Sequence, residues 1–407
     1  MSTITINQDK TISINGKKIF PFGIYSITRY GLESLESDDI SLLKNRDFTY
    51  SAGGNYWTQS TDFVQKYENN GIKFCLKDDA VSTVPQWIID SPEFFGFQNF
   101  DEPQPNTTLN SVCYNLTLEE CHAKILNKYN QFKSRCSSCF VIQNHWHDVL
   151  DIWQDCGDIL TYDIYPVQKD ETYWVRADAM YAYEHYTNAN ILKGRKIDNL
   201  SKPLWAVTQA YGKDYNQWLK CTPQEIRCFV YIALTMNVKG IILYGYKSWG
   251  GATDTSGLMN DTVLHNYVVQ IAKEIRLLNE ILVTPTTEYS WEYDKGTSVT
   301  FSKNISKTVL WSTRTNWNYI IKQLNNTKYL IIVNKDSTSI SNVEITVSGL
   351  NNTTVTTIGL QTTGSGKAGR NLTVTNGKFT DSFDGYAVHI YQIGMCPASQ
   401  CNFTITQ

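Results

Sequence analysis

The stretch Phe94–Pro103, FFGFQNFDEP, is an apolar and aromatic run that ends in two acids and a proline. An apolar run of this length predicts a buried strand. Pro103 cannot donate to a β-ladder, so the strand is expected to stop there. Asp101 and Glu102 would then lie at the carboxyl end of a buried strand, where parallel α/β sheets bind ligands. Glu102 is therefore a candidate catalytic carboxyl, although a pair of solvated loop acids would give the same pattern.

Seven more apolar segments flank this stretch and alternate with helical patterns. With it, the predicted strands are Ile19–Ser26, Asp47–Ala52, Ile72–Leu76, Phe94–Pro103, Cys139–Gln143, Ile159–Ile164, Leu204–Gln209 and Val238–Tyr244. Eight strand–helix units within residues 1–284, preceded by an N-terminal β-hairpin, predict an α/β fold of the (β/α)8 TIM-barrel type. The side chains expected in its core are Phe22, Ile24, Phe97, Ile159, Val207 and Ile242.

The pattern changes after Pro285, where helical periodicity ends. Short alternating segments follow, including Thr308–Ser312 and Lys328–Val333, and turn dipeptides such as Asn376–Gly377 separate them. This pattern predicts a small antiparallel β-sandwich over residues 285–407. Two domains also fit the length of 407 residues.

Composition narrows the class of partner. The net charge is -3 with 18% charged residues, and the chain has no basic run, so no nucleic-acid partner is predicted. With 25 Tyr and 11 Trp, aromatic side chains are abundant, and their faces stack on sugar rings. Carbohydrate is the expected partner. No apolar stretch is long enough for a transmembrane segment, and the oligomeric state stays open.

Ten cysteines and ten Asn-x-Ser/Thr sequons favour an oxidising, extracellular or cell-surface location. Cys396 and Cys401 are expected to form a disulfide, because Pro397 starts a turn between them; the other cysteine pairings cannot be deduced from the sequence. The glycosylation candidates are Asn106, Asn115, Asn199, Asn260, Asn304, Asn325, Asn351, Asn352, Asn371 and Asn402.

One cluster could suggest a metal site. Cys136 and Cys139 precede His145 and His147 by a few residues, and two cysteines with two histidines could bind zinc. A strand of about five residues would separate the two pairs by roughly 17 Å, too far for one ion. We therefore predict a disulfide and loop histidines, with no metal. No nucleotide or phosphate fingerprint occurs, and no cofactor is predicted.

The motifs FGFQNFDEP, NGKKIFPFGIYS, DIYP, PLWAVTQAYG and KGIILYGY, followed by DGYAVHIYQI in the last sandwich strand, resemble the clan-A-like glycoside hydrolases. The resemblance covers nearly the whole chain and depends on the order of the motifs. It implies a sugar-cleaving barrel with Glu102 as the general acid/base at the end of the fourth strand.

The chain departs from that family at the end of the seventh strand, where the family has a nucleophilic Glu. Gln209 holds this position, and an amide cannot form the usual glycosyl ester. Three possibilities follow: an inverting enzyme, a nucleophile on another strand, or a barrel that binds sugar without cleaving it. Inversion is favoured, because Gln209 removes the nucleophile and leaves room for water.

Glycoside hydrolysis generally needs two carboxyl groups, one protonated and one ionised. Asp163 at the end of the sixth strand is the first candidate for the base that faces Glu102, and a structural role beside Tyr165–Pro166 is its alternative. Asp254, in a loop after the eighth strand, is the second candidate. Asp101 is a candidate for substrate binding; if the strand continues through both acids, however, Asp101 and Glu102 point to opposite faces and only one of them reaches the pocket. The remaining carboxylates at strand ends are Asp78 and Asp79.

Aromatic and amide side chains at strand ends are expected to shape the sugar subsites. The predicted substrate-binding residues are Tyr25, Trp57, Asn144, Trp146, Tyr165, Gln209, Tyr211, Tyr244 and Trp249, together with Asp101. The sequence thus predicts a secreted glycoside hydrolase acting on a polysaccharide or glycan. Its alternative is a catalytically inactive barrel that serves as a carbohydrate-binding or structural glycoprotein.

Overall fold

The computed structural model describes residues 3–25, 49–54, 61–77, 84–103, 112–146, 153–169, 174–198, 201–214, 218–246, 257–289, 298–350 and 354–394.

The chain begins with a small antiparallel sheet of three strands, β1 (Ile4–Ile6), β2 (Ile12–Ile14) and β3 (Lys17–Ile19). The predicted hairpin is formed, and the Asn15–Gly16 turn adds β3 as a third strand. Ile12 is fully buried among side chains from the barrel strands. This sheet therefore packs against the interior core of the barrel.

Eight parallel strands close into a barrel, as predicted. They are β4 (Phe22–Tyr25), β5 (Tyr50–Gly54), β6 (Lys73–Lys77), β7 (Phe94–Gln98), β8 (Phe140–Trp146), β9 (Ile159–Ile164), β10 (Leu204–Gln209) and β11 (Gly240–Tyr244). Strand β11 pairs with β4, with Tyr244 opposite Tyr25, and this pairing closes the cylinder. The six side chains predicted for the core are all buried.

The helices between and after these strands are α1 (Thr61–Asn70), α2 (Gln86–Ile89), α3 (Leu118–Arg135), α4 (Ala179–Asp198), α5 (Pro223–Thr235), α6 (Thr262–Leu277) and α7 (Asn279–Leu282). Thr117 and Glu120 form a capping box at the start of α3, and Thr222 and Glu225 form another at α5. Each box satisfies backbone N–H groups that a helix start leaves without partners.

The C-terminal part is an antiparallel sandwich. Its strands are β12 (Thr286–Tyr289), β13 (Val299–Phe301), β14 (Ser306–Val309), β15 (Ser312–Thr315), β16 (Trp317–Leu324), β17 (Thr327–Asn334), β18 (Ile340–Val347), β19 (Thr354–Ile358), β20 (Asn371–Thr373), β21 (Lys378–Phe383) and β22 (Val388–Ile393). A six-stranded sheet in the order β12-β16-β17-β22-β19-β20 faces a three-stranded sheet, β13-β18-β21. Leu330 and Ile345 lie in the apolar layer between the two sheets.

One predicted sandwich strand, Thr308–Ser312, is wrong. The chain reverses within it, and Leu310 and Trp311 form the tip of the β14–β15 hairpin with φ angles of 51° and 61°. Left-handed backbone is costly for bulky residues. The apolar side chains at this tip therefore gave a strand pattern where the structure has a turn.

The barrel and the sandwich share a continuous buried interface. Side chains of α5, such as Phe229, pack with Ile331 and Val388 of the six-stranded sheet in one apolar cluster. Beside them, Arg227 donates to both carboxylate oxygens of Glu274 at 3.1 Å and to the Val388 carbonyl at 2.9 Å. Each charge of this buried pair is thus compensated by several hydrogen bonds.

Candidate active site

Strand β7 is shorter than predicted: it ends at Gln98, not at Pro103. Asn99 still donates its backbone N–H to Ile142 at 2.8 Å, but its side-chain oxygen accepts from the Phe100 N–H at 2.9 Å, which bends the chain out of the ladder. Within the strand, a Cβ at Gly96 would overlap the Phe140 carbonyl, so only glycine allows β7 to approach β8 this closely. Asp101 and Glu102 follow on a bend at the barrel mouth.

Glu102 has an unusual backbone. Its φ is +42°, in the left-handed region, and the residue is exposed. Residues other than glycine rarely hold this conformation, and it is found more often at functional sites than elsewhere. The bend therefore places the predicted acid at the solvent side of the mouth at a cost in backbone strain.

Asp101 reaches the same site as Glu102. Its Oδ1 accepts from Asn144 Nδ2 at 2.9 Å, and its Oδ2 accepts from the Tyr25 hydroxyl at 3.4 Å. The expectation that the strand would direct the two acids to opposite faces does not apply, because the strand has ended before either residue. Three carboxyl groups therefore meet at the mouth instead of two.

Asp163 is the third of these groups and the most buried, with 4% of its surface exposed near the end of β9. Its Oδ2 accepts from Asn144 Nδ2 at 3.2 Å and from the Tyr165 hydroxyl at 3.2 Å. The Thr161 hydroxyl donates to the side-chain oxygen of Asn144, Oδ1, at 2.6 Å and so orients the Asn144 amide nitrogen toward both acids. Asn144 thus lies between Asp101 and Asp163 and donates to each.

Asp163 and Glu102 are in hydrogen-bonding contact, and this contact sets the charge of the site. Burial raises the pKa of Asp163 well above its usual range, and the neighbouring Glu102 and Asp101 carboxylates raise it further. The Oδ1 of Asp163 is buried and receives no hydrogen bond within the described residues. A proton on Asp163, donated to Glu102, satisfies both observations.

Aromatic side chains surround the acids. Tyr165 stacks on Tyr244 with ring centroids 5.0 Å apart, and Tyr25 contacts the other side of Tyr244 at 5.3 Å. Tyr211 stacks on Trp218 at 5.8 Å, and Trp218 meets Tyr165 edge-on at 5.6 Å. Four predicted aromatic residues are therefore brought together here. Trp218 was missed, because it lies in the loop after β10 and no strand end marks it.

Gln209 has a different environment from the predicted one. It is fully buried at the end of β10, its oxygen accepts from the Val167 N–H at 3.1 Å, and its nitrogen donates to the carbonyls of Val167 and Leu219 at 3.1 and 2.8 Å. The amide thereby joins the loops that follow β9 and β10. Its polar atoms are bonded to backbone instead of facing the three acids.

The other predicted site residues lie either at the end of a strand or outside the described parts of the chain. Trp146 is the last residue of β8. The residues that lie outside the described parts of the chain are Trp57, Asp78, Asp79, His147, Trp249, Asp254, Cys396 and Cys401.

The predicted disulfide between Cys136 and Cys139 is formed, and a second one joins Cys113 to Cys121. His145 lies within β8 instead of after it, and it points away from the mouth, opposite to Asn144. Burial lowers the pKa of His145 to about 3, and neither ring nitrogen has a hydrogen-bond partner in the described residues. His145 is therefore a neutral core residue.

One group of possible metal ligands occurs among the described residues, formed by His122, Asp155 and Cys156. His122 Nε2 is 2.8 Å from Asp155 Oδ1, and the Cys156 thiol donates to the same oxygen at 3.4 Å. These two hydrogen bonds account for the proximity of the three groups, and we assign no metal to them.

Five of the ten sequons lie in described residues, and each has an exposed asparagine: Asn115, Asn260, Asn304, Asn325 and Asn371. Their exposure makes glycosylation sterically feasible, and glycosylation remains a prediction. None of the helices in the described residues is long and apolar enough to cross a membrane.

Comparisons with known proteins identify the fold. No protein-family model matches the chain, and no curated protein matches it. Among solved structures, it is similar to an α-L-arabinofuranosidase from Thermotoga maritima, with a TM-score of 0.56 and 12% identity over 97% of this chain and 100% of the other. It is also similar to a GH30 endoxylanase from Clostridium papyrosolvens, with a TM-score of 0.50, 12% identity and the same coverage.

A third similar structure is an α-amylase from Geobacillus thermoleovorans, with a TM-score of 0.51 and 12% identity over 93% of this chain and 99% of the other. The chain therefore has the fold of glycoside hydrolases built from a (β/α)8 barrel and a C-terminal β-domain. Since these three proteins act on different sugars, the likeness identifies the architecture and not the substrate.

Proposed function

We propose that this protein is a glycoside hydrolase that acts on a polysaccharide or glycan, with Glu102 as the general acid. The observation that carries the proposal is the acid pair at the barrel mouth. An exposed carboxyl, Glu102, contacts a buried one, Asp163, whose pKa is raised by burial and by the neighbouring carboxylates. A carboxyl group that keeps its proton near neutral pH is what leaving-group protonation requires.

The two members of the pair have different tasks in this proposal. Asp163 holds the proton in the resting enzyme, because its ionised form would be buried beside two other carboxylates. Glu102 lies on the solvent side, where a glycosidic oxygen can reach it. The proton of Asp163 passes to Glu102 as Glu102 protonates that oxygen, so the pair acts as one acid and leaves Asp163 ionised.

Asp101 is the ionised carboxylate in this scheme. It accepts from Asn144 and from the Tyr25 hydroxyl, and hydrogen bonds of this kind favour a charged carboxylate. The Tyr25 hydroxyl in turn accepts from Gln98 Nε2 at 2.8 Å, which fixes its orientation. The negative charge of Asp101 opposes ionisation of Asp163 and so helps to keep a proton on the pair in the resting enzyme.

The stereochemical outcome belongs to the proposal too. Hydrolases that retain configuration hold their carboxyl groups about 5 to 5.5 Å apart, and those that invert it about 6.5 to 9.5 Å. Glu102 and Asp163 in hydrogen-bonding contact are closer than both ranges. We propose inversion, in which the pair separates around a water molecule and Asp163, ionised after its proton has passed to Glu102, takes a proton from that water. NMR of the first-formed anomer would test this, and a retained product would reject it.

A second candidate function is favoured by Gln209. Its amide is bonded to backbone on both sides, so no nucleophile is presented at the end of β10. A barrel that binds a glycan without cleaving it would keep the aromatic mouth and need no nucleophile. This candidate predicts sugar binding without turnover.

An activity screen separates the two functions. The intact chain is incubated with xylan, arabinan, β-glucan, starch and a panel of aryl glycosides, and released reducing sugar is measured. Glu102→Gln and Asp163→Asn should each lower turnover at least about 100-fold while sugar binding by calorimetry is kept. Glu119→Gln, which changes an exposed acid in the first turn of α3, is the matched control. Binding without any turnover by the unmodified chain would favour the second candidate.

We also propose an extracellular or cell-surface location. Two disulfides and five exposed sequons support it. Expression through a secretory pathway, followed by peptide mass spectrometry with and without glycosidase treatment, would test it. Unmodified asparagines at all ten sequons would reject the glycoprotein proposal.

A further inference from the structure

The sandwich contains a hydrogen-bonded chain of a serine, a histidine and an aspartate that is distinct from the barrel site. His389 Nε2 is 3.1 Å from Ser365 Oγ, and His389 Nδ1 is 2.9 Å from Asp381 Oδ2. Asp381 lies on β21 of the three-stranded sheet, and His389 lies on β22 of the six-stranded sheet. Ser365 is in the loop between β19 and β20. This is the arrangement by which serine hydrolases activate their nucleophile.

The proton positions in this chain follow from the surroundings of Asp381. Arg370 donates to its two oxygens at 2.6 and 2.8 Å, and the Tyr391 hydroxyl donates to Oδ2 at 2.8 Å. Although burial opposes it, the bonds from His389 and Arg370 hold the pKa of Asp381 below its usual range. His389 Nδ1 also lies 2.9 Å from the Tyr391 hydroxyl, but that hydroxyl gives its proton to Asp381. Nδ1 is therefore assigned as the protonated nitrogen, which leaves Nε2 as the acceptor for the Ser365 hydroxyl.

His389 is suited to act as a base. It is buried against Phe383, with stacked rings 4.0 Å apart, so its ring orientation is fixed. Burial lowers its pKa, against the opposing effect of Asp381, and the ring is therefore neutral near neutral pH. A neutral, oriented imidazole can take a proton from a neighbouring hydroxyl.

Ser365 is held in position but stays partly exposed. Its Oγ accepts from the Asp384 N–H at 2.8 Å, and its own N–H donates to Asp384 Oδ2 at 2.8 Å. It lies in the turn Gly364–Ser365–Gly366, where a Cβ at Gly366 would come 2.6 Å from the Val388 carbonyl oxygen. One lone pair of Ser365 Oγ remains for attack on a substrate carbon.

A cavity of about 570 Å³ adjoins this turn, between the sandwich and helices α5 and α6. Its wall includes Gly364, which precedes Ser365 in the sequence, and Asp384, which is hydrogen-bonded to Ser365. The rest of the wall mixes polar side chains such as Gln270 and Thr362 with apolar ones such as Ile271 and Leu360. Its size is that of a small-molecule site, and its mixed wall suits an alcohol that presents both hydroxyl groups and carbon faces.

We propose that Ser365, His389 and Asp381 form a second hydrolytic site, an esterase for short-chain carboxylic esters of polar alcohols. Ser365 Oγ attacks the ester carbonyl carbon while its proton passes to His389 Nε2. The alcohol leaves with that proton, and the acyl group stays on Ser365. Water then attacks the acyl carbon through the same base, the carboxylic acid departs, and Ser365 regains its proton.

In this scheme Ser365 and His389 are catalytic residues, and Asp381 is a positioning residue. The Gly366 N–H follows the serine, as the oxyanion donor does in a nucleophile elbow. The alternative is that Ser365 serves only to fasten its loop to Asp384 and His389. The two alternatives differ in the reactivity of Ser365, because a serine that only holds its loop in place does not react as a nucleophile.

The test measures that reactivity on the full chain. A fluorophosphonate probe, which modifies activated serines, is added at neutral pH, and peptide mass spectrometry locates the adduct; hydrolysis of 4-nitrophenyl acetate is followed in parallel. We expect one adduct at Ser365, its loss together with hydrolysis in Ser365→Ala, and labelling at least about 100-fold slower in Asp381→Asn. Ser341→Ala, which removes an exposed serine of β18, should label like the unmodified chain.

All labelling is done below the unfolding transition of each variant, so a destabilised Asp381→Asn can still be measured. The proposal is overturned if the folded, unmodified chain gives no adduct at Ser365 under conditions that fully label a known serine esterase. Hydrolysis that persists in Ser365→Ala would overturn it equally. Neither result depends on whether the barrel cleaves glycosides.

Discussion

Asp163 and Glu102 are the buried and exposed members of one hydrogen-bonded acid pair at the mouth of the barrel. Asp163 lies on the sixth barrel strand, β9, Glu102 lies on the bend after the fourth, β7, and Asn144 on the intervening strand β8 donates to Asp163. Because three carboxyl groups share so small a volume, the folded chain binds a proton that the unfolded chain releases at the same pH. The pH dependence of the free energy of unfolding should therefore reveal the protonation of this site.

The first prediction concerns the pH dependence of unfolding. An unfolded Asp titrates near pH 4, whereas burial and the neighbouring carboxylates raise the pKa of Asp163 in the folded state. Above pH 4 the folded state therefore keeps a proton that the unfolded state has lost. The free energy of unfolding should fall by up to about 1.4 kcal/mol per pH unit until the folded pKa is reached.

Asp163→Asn removes this titration and can still donate a hydrogen bond to Glu102. Urea unfolding at pH 4 to 8 should show the variant gaining stability over the unmodified chain as the pH rises. Asp90→Asn, at an exposed acid that follows α2, is the control and should show no such trend. Parallel pH profiles for Asp163→Asn and the unmodified chain would contradict the shared proton.

A second prediction concerns Gln209→Glu, which restores the acid that the resembled family carries. Here the amide donates to two carbonyl oxygens, and a carboxylate would meet the same oxygens with no proton to offer. The substitution should lower the free energy of unfolding by about 2 to 4 kcal/mol at pH 7 and create no new activity. The loss should shrink at pH 4, where the acid is protonated and can donate once.

Gln209→Met, of similar volume and without charge, is the matched control and should lose only about 1 to 3 kcal/mol, with little pH dependence. Urea unfolding measures both variants. A Gln209→Glu protein as stable as the unmodified chain would mean that the amide is not held by the backbone.

The sequence predicted the barrel because its strands are buried on both faces and therefore appear as apolar runs. Ile159–Ile164 and Leu204–Gln209 were predicted with the bounds that the structure has. The capping boxes at Thr117 and Thr222 also depend on local chemistry, because the residues that form each box are three apart in the sequence. Local chemistry was sufficient to predict the strands and helices whose bounds are set by residues adjacent in the sequence.

Contacts between distant segments were not predictable in the same way. Gln209 was expected to face a sugar, yet its partners Val167 and Leu219 belong to loops without a recognisable pattern. Trp218 joins the aromatic mouth from one of these loops. The Ser365–His389 contact also spans two segments, and no order of residues along the chain indicated it. The sequence showed which residues lie at strand ends, and tertiary packing decided which of them meet.

A third prediction concerns the tip of the β14–β15 hairpin. Trp311 is 95% exposed and holds a φ of 61°, a conformation that costs a bulky residue about 1 to 2 kcal/mol. Trp311→Gly relieves this cost and loses little buried surface, so it should raise the free energy of unfolding by about 1 kcal/mol. Trp311→Ala keeps a Cβ in the same conformation and should give no gain. Thermal and urea unfolding measure both; a less stable Trp311→Gly would show that the indole packs on the sandwich.

The last prediction returns to Glu102, whose φ of +42° strains the backbone at the acid itself. Glu102→Gly should raise the free energy of unfolding by about 1 kcal/mol, because glycine holds this conformation without a Cβ clash. Turnover should be lost at the same time, since no carboxyl remains to protonate the leaving group. Stability gained together with activity lost is the expected signature of a strained functional residue.

Glu102→Gln separates the two causes. It keeps the Cβ and the strained backbone but removes the charge beside Asp163, so any gain in its stability comes from electrostatics alone. The difference in unfolding free energy between the Gly and Gln variants then isolates the backbone strain. If the Gly variant is no more stable than the Gln variant, the bend at Glu102 carries no strain, and the acid is positioned by its side-chain contacts with Asp163 alone.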